Sequence, residues 1–139
     1  MVAQWAEDEF TVQYRNNGHG IAPASQTMKY STETKAKNGI SSDGYKFEKW
    51  CTTINGVGGT CYKPGDVINA KNECPTQDLV LYAQWTEKTA LLTYDANDCG
   101  TAPESETMTY SVATYAASSM ESINDNWTLT KWCKTSDGV

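Results

Sequence analysis

Few side chains in this 139-residue sequence are suited to chemistry: five cysteines and a single histidine. The cysteines are Cys51, Cys61, Cys74, Cys99 and Cys133. No Cys-x-x-Cys occurs, and His19 stands between two glycines, so the ligand spacing of a zinc site is missing and no metal or cofactor is expected. Cys61 follows Cys51 by ten residues, across a glycine- and threonine-rich stretch that can fold back on itself. Cys51–Cys61 is therefore the preferred disulfide. Closing that loop is worth roughly 3 kcal/mol in the chain-entropy picture, and Cys51–Cys74 about half a kcal/mol more. Entropy does not separate the two, but proximity within one loop favours Cys61. The alternative is a set of buried thiols in a cytosolic protein.

Other candidate motifs lack their essential parts. Gly56-Val57-Gly58-Gly59 has no lysine, serine or helix start at the spacing of a phosphate-binding loop. Asp95-Ala96-Asn97-Asp98 lacks the alternating ligands and terminal glutamate of a calcium loop and reads as a hairpin turn. Asn126-Trp127-Thr128 fits a glycosylation sequon, which matters only in a eukaryotic secretory pathway. No catalytic, cofactor-binding or metal-binding residues are assigned. A thiol enzyme would need one cysteine with a depressed pKa.

The elements that hold these residues centre on two stretches. In Gly44-Tyr45-Lys46-Phe47-Glu48-Lys49-Trp50-Cys51, large apolar residues alternate with charged ones, the pattern of a strand with one face on a core. Leu79-Val80-Leu81-Tyr82-Ala83-Gln84-Trp85 is apolar except for Gln84 and reads as a more fully buried strand. Two further strands are expected at 10–14, with Phe10, Val12 and Tyr14 inward, and at 26–30, with Met28 and Tyr30 inward. Asn17-Gly18 and Gly20 supply the turn between them. Residues 31–43 carry no pattern, and 51–66 read as a long loop. Residues 67–72 are expected to form one or two helical turns capped by Asp66 and stopped by Cys74-Pro75. The expected core is Tyr14, Met28, Tyr45, Phe47, Trp50, Tyr82 and Trp85. Five tryptophans and eight tyrosines against two phenylalanines make these rings the main apolar resource.

The sequence repeats. At an offset of 80 residues Tyr14 aligns with Tyr94, Asn17 with Asn97, Ala22-Pro23 with Ala102-Pro103, and Thr27-Met28 with Thr107-Met108. The offset then becomes 82, placing Trp50-Cys51 over Trp132-Cys133 and Gly56-Val57 over Gly138-Val139. Val2-Ala3-Gln4-Trp5 echoes Tyr82-Ala83-Gln84-Trp85. Residues 1–8 are thus expected to be the tail strand of a preceding repeat and a link, 9–86 a complete repeat, and 90–139 a second repeat lacking its final strand. Strands at 90–94, 106–110 and 127–132 are expected in that second repeat. Equivalents of Cys61 and Cys74 would lie beyond Val139. His19 aligns with Cys99, so the repeat does not require a histidine there. A spare closing strand at one end and a missing one at the other would allow strand donation between chains.

Charge and hydropathy narrow the function. A net charge of −6 argues against nucleic acid, which needs clustered Lys and Arg, and against an anionic membrane surface. No run approaches the roughly 20 apolar residues of a spanning helix. No signal peptide is visible, and the natural N-terminus is expected to have been lost.

The order of motifs also points to a family. A first strand ending in an aromatic residue is followed by an Asn/Gly turn, Ala-Pro and Met-x-Tyr. Then come Gly44-Tyr45-Lys46-Phe47-Glu48-Lys49-Trp50 and Leu79-Val80-Leu81-Tyr82-Ala83-Gln84-Trp85. This resembles the Listeria–Bacteroides repeat, the B repeat of internalin-type bacterial surface proteins. The resemblance implies an α+β, mostly β chain: tandem small β-grasp-like repeats, each a mixed four-stranded sheet with a short helix, the second truncated. Asn126-Trp127 departs from the Gly-Tyr of the motif, and the cysteine-bearing 51–66 loop is not part of it.

The expected function is a non-enzymatic extracellular repeat, a spacer or adhesion module on a bacterial cell surface or cell wall. Its partners would be neighbouring repeats of the same chain and a host or cell-surface protein or glycan, with no nucleic acid and no membrane insertion. The alternative is a carbohydrate-binding module, for which Tyr62 and Tyr115 are the candidate stacking rings, since neither falls at a repeat-matched aromatic position.

Overall fold

A computed structural model of the chain describes residues 1–73 and 77–134, so Cys74-Pro75 and Gly138-Val139 lie outside the described residues. The chain divides into two compact units, Met1–Glu87 and Lys88–Val139. Among the described residues it is mostly β, with a curled mixed sheet and one very short helix.

In the first unit, β1 (Glu9–Arg15) follows the period-2 pattern, burying Val12 and Tyr14 while Arg15 stays exposed. The chain reverses through Asn17 and Gly18, both at positive φ. Gly20 also has positive φ, and a Cβ there would collide with the Ser41 carbonyl oxygen, so the turn needs glycine at this point. β2 (Gln26–Lys29) then pairs antiparallel with β1, setting Met28 opposite Phe10. β4 (Tyr45–Cys51) and β5 (Cys61–Tyr62) form an antiparallel pair. The last strand, β7 (Leu79–Glu87), enters the middle, parallel to β1 and antiparallel to β4. The sheet order is β2-β1-β7-β4-β5, five strands rather than the expected four. The additional strand is β5, which lies inside the stretch read as loop and sets Cys61 opposite Cys51.

The alternation in β4 needs one correction. Phe47 and Trp50 are three apart and should point to opposite faces, yet Phe47 pairs with Trp85 and Trp50 with Ala83. A bulge between Phe47 and Lys49 absorbs the extra residue and returns Trp50 to the face that holds Phe47. β7 is buried on one face only: Leu79, Leu81 and Ala83 are buried, while Val80, Tyr82 and Gln84 are half-buried. Tyr82 is therefore not a core residue, because its face of the sheet is only partly covered. Tyr45 is half-buried for a different reason. It pairs with Glu87 at the far end of β7, beyond the part of the face that the core covers. Tyr14, Met28 and Trp50 are buried, and Phe47 and Trp85 pack against the core from its edge. Tyr30, expected inward, is 42% exposed and lies beside Phe10.

The covered face is closed by a part of the chain with no readable pattern. β3 (Glu33–Lys35) pairs antiparallel with β6 (Val67–Asn69), and Ala36, Ile68 and Ala70 join the same core as Val12, Trp50 and Leu81. Residues 67–69 are thus strand where helix is expected. The helix α1 (Ala70–Glu73) begins three residues later, with the Asn69 side chain accepting from the Lys71 amide as its cap. Asp66 instead accepts from the Lys63 amide and closes a turn. The pairing with β3 decides the matter, because three paired residues along the ladder outweigh a weak local helix preference.

In the second unit β8 (Thr89–Leu92) pairs with β10 (Glu106–Thr109), and β9 (Gly100–Thr101) with β11 (Glu121–Ser122). Two expected strands are not formed. Residues 127–132 are not in a strand, and neither is the N-terminal segment 2–5, where Trp5 is 93% exposed. Both would need a neighbour to take their ladder hydrogen bonds, and in the first unit the counterparts β4 and β7 supply one another. None of the described residues of the second unit is fully buried.

Candidate functional site

The first unit is organised around a clamp on the backbone of one residue, Lys37. Trp50 Nε1 donates to the Lys37 carbonyl at 3.0 Å, and the Lys37 amide donates to the Tyr14 hydroxyl at 3.2 Å. The two rings meet edge to face at 4.8 Å. Both backbone polar groups of Lys37, packed against the core, are thereby satisfied by side chains, as buried backbone requires. The Lys37 Nζ lies 5.9 Å from the Tyr14 ring centre and donates to the Ala24 carbonyl.

The same clamp recurs in the second unit. Trp132 Nε1 donates to the Ala117 carbonyl at 2.7 Å, the Ala117 amide donates to the Tyr94 hydroxyl at 2.8 Å, and the rings are again 4.8 Å apart. Ala117 serves in the place of Lys37 because the clamp grips backbone groups, although the contacts of the Lys37 Nζ are not reproduced by an alanine. One partner differs. The position of Gln26 is taken by Glu106, whose carboxylate accepts from the Tyr94 hydroxyl at 2.9 Å.

Both hydroxyls are held above the ordinary tyrosine pKa. Burial does this to Tyr14, against the opposing hydrogen bonds from Lys37 and Gln26. For Tyr94 the loss of solvent contributes most, and the adjacent Glu106 carboxylate adds to it. The unfolded chain therefore loses these protons first, near pH ~10. The stability they contribute is intact below that pH and falls as pH rises through it toward the folded values. Tyr14→Phe should flatten part of this alkaline loss. It should also cost about 1–2 kcal/mol at neutral pH, because the Lys37 amide loses its acceptor. Urea midpoints measured on either side of pH 10 for both proteins check this.

A second constellation surrounds the disulfide. Cys51 and Cys61 are bonded across the β4–β5 ladder with their Cα atoms 4.1 Å apart, and Cys51 is fully buried beside Trp50. The loop between them is self-bonded: the Thr52 amide donates to the Thr60 carbonyl, and the Thr60 amide to the Thr52 hydroxyl. Gly56 and Gly58 take positive φ at its tip. Two side-chain amides then tie the loop to the sheet. Asn17 Nδ2 lies 2.9 Å from both the Ile54 and Ala83 carbonyls, and Gln84 Nε2 is 3.3 Å from the Thr53 and Ile54 carbonyls. Ile54 and Val57 remain exposed on this braced loop.

His19 has a packing role. It stacks on Tyr45 at 3.7 Å and meets the edge of Trp85 at 5.6 Å, and Trp85 Nε1 donates to the Asn16 carbonyl at 2.8 Å. Its repeat counterpart, Cys99, is a half-buried thiol. Among the described residues no group of three His, Cys, Asp or Glu side chains stands where it could share a metal ion. Of the two rings considered for sugar stacking, Tyr62 is 6% exposed and faces the core, so it offers no platform. Tyr115 is 85% exposed.

The clamp could not be read from side-chain types, since its centre is a backbone peptide in a stretch without pattern. The only hint was the recurrence of Tyr14 and Trp50 as Tyr94 and Trp132. The first unit is thus a small β unit with an aromatic clamp and a centrally inserted last strand, and the clamp recurs in the second unit. Residues 10–84, more than half of the chain, match the Listeria-Bacteroides repeat domain, and the chain belongs to that family. The chain is also 30% identical over 135 residues to a protein of Evansella cellulosilytica named "Putative Gly-rich membrane protein". The match covers 93% of this chain but 16% of that protein. No solved structure matches the chain. Among the described residues no helix is long and apolar enough to cross a membrane.

Proposed function

We propose that the chain is a non-enzymatic, extracellular stretch of tandem β-grasp-like repeats that spaces or presents other parts of a bacterial surface protein. The observation that carries this reading is the Cys51–Cys61 disulfide, which joins a fully buried Cys51, next to Trp50 in β4, to a half-buried Cys61. Such a bond persists in oxidising compartments and is kept reduced in the cytosol. Family membership and the named membrane-protein relative support a surface-associated setting. Within the first unit the polar groups around the aromatic cluster are spent on holding backbone, which suits a module whose work is to keep its shape.

Neighbouring repeats of the same chain are the expected contacts, with an adhesive role toward a host or cell-surface protein or glycan as the finer possibility of the same reading. The test is intact mass after alkylation, with and without prior reduction, on chain recovered from the outside of an exporting bacterium. Cys51 and Cys61 should resist alkylation until reduced, and peptide mapping should recover them as one linked pair. Full alkylation of both without reductant would sink the extracellular assignment.

A further inference from the structure

An asparagine followed by glycine is prone to lose its side-chain amide, because no Cβ on the glycine shields the backbone nitrogen that attacks it. The first unit carries three such pairs, Asn17-Gly18, Asn38-Gly39 and Asn55-Gly56. The fold treats them differently. Asn17 is half-buried, and its side-chain amide donates to the Ile54 and Ala83 carbonyls, so its Cγ reaches Gly18 only by breaking both bonds. Asn55 is exposed, but its side-chain oxygen accepts from the Val57 amide. The nitrogen that would attack it, that of Gly56, donates to the Thr53 carbonyl at 3.1 Å.

Asn38-Gly39 has neither restraint. Both residues are exposed and lie outside any strand or helix. Among the described residues, no hydrogen bond holds the Asn38 side chain or the Gly39 amide. The pair is nevertheless flanked by fixed points. On one side the Lys37 carbonyl accepts from Trp50 Nε1. On the other, Gly39 packs against Phe47 so closely that an added Cβ would come within 2.5 Å of the ring.

We propose that Asn38 is a site of slow self-modification in the folded chain, with water as the co-reactant. The Gly39 nitrogen gives its proton to solvent and bonds to Asn38 Cγ. The Cγ–Nδ2 bond breaks, and the side-chain nitrogen takes up a proton and leaves as ammonia. Water then opens the resulting succinimide at either carbonyl. One opening gives aspartate. The other gives isoaspartate, whose main chain runs through the former side chain and is longer by one carbon. Both products add a negative charge to a chain that already carries −6. The isoaspartyl form must also fit its longer backbone between Lys37 and Gly39, so it pulls on the Trp50 clamp. This chemistry goes beyond the spacer reading and does not depend on it.

The test is incubation of the intact chain in mildly alkaline buffer below its melting temperature, with tryptic mapping by mass over time. Cleavage after Arg15, Lys37 and Lys49 places each pair in its own peptide. Asn38 should accumulate product roughly tenfold faster than Asn17 or Asn55, the scale set by hydrogen bonds that must open before those two can react. In denaturant the three rates should converge. Asn38→Asp, which adds the charge without lengthening the main chain, should melt with the unmodified chain, and the isolated isoaspartyl chain should melt earlier. Equal rates at the three sites in the folded chain overturn the proposal, as does a ranking that survives in denaturant. An isoaspartyl chain that melts with the Asn38→Asp chain overturns the pull on the clamp.

Discussion

Trp50→Ala is expected to lower the stability of the first unit by about 3–5 kcal/mol, the range for truncating a large buried aromatic residue. Trp50 has no exposed surface, and its ring contacts both Tyr14 and Phe47. Removing it opens a cavity between the sheet and the covering β3–β6 ribbon and leaves the Lys37 carbonyl without its donor. A domain of this size holds only ~5–15 kcal/mol in all, so the loss takes a large share. Trp50→Phe separates the two contributions: it fills much of the space but leaves the carbonyl unpaired, for about 1–3 kcal/mol. Trp132→Ala, at a half-buried ring in the second unit, should leave the first unit's amide-exchange protection unchanged. Denaturant midpoints followed by far-ultraviolet circular dichroism, with exchange read by unit, check all three. A Trp50→Ala protein with an unaltered midpoint would mean that the clamp is dispensable.

Removing the disulfide should rank next. Cys51→Ala with Cys61→Ala is expected to cost about 3 kcal/mol, from the freedom returned to the unfolded loop and the apolar contacts of the buried Cys51 sulfur. The effect should be local. The Asn17 and Gln84 amides still hold the Ile54 carbonyl, so the loop keeps an anchor at its middle while its ends loosen. The double alanine protein should therefore fold, melt earlier, and show faster amide exchange at Thr52 and Thr60 than at residues of β1. Reduction of the unmutated chain should reproduce the same shift in melting. If reduction leaves the melting temperature unchanged, the bond contributes nothing to the folded unit.

The features legible in the sequence were those that rest on side-chain alternation. β1 announces itself through Phe10, Val12 and Tyr14, and the Asn17-Gly18 turn through residues that tolerate positive φ. β4 and β7 are recognisable, but not their detail. The bulge that brings Phe47 and Trp50 to one face breaks period 2, and no residue type marks it in advance. β7 reads as buried on both faces because Val80 and Tyr82 are apolar, whereas the ribbon covers only the face that carries Leu79, Leu81 and Ala83. The ribbon itself is Glu33–Lys35 against Val67–Asn69, two short polar-flanked strands whose pairing lies 34 residues apart at Thr34 and Ile68. Pairing at that range is a property of the whole fold and leaves no local trace. The clamp was half visible: its tyrosine and tryptophan repeat, but Lys37 matters through its backbone, which every residue possesses.

The central position of β7 has a consequence for how the unit comes into being. Val12 pairs with Leu79 and Tyr14 with Leu81, so the strand that joins the two halves of the sheet is also the last of the first unit to be synthesised. Parallel pairing across such a sequence distance pays its loop-closure entropy before any reward and is slow. A nascent chain that has not reached residue 79 has a β1 edge and a β4 edge with nothing between them. It cannot lock prematurely. Under the proposed surface function, an architecture completed by its final strand would delay folding until the whole unit has crossed an export channel.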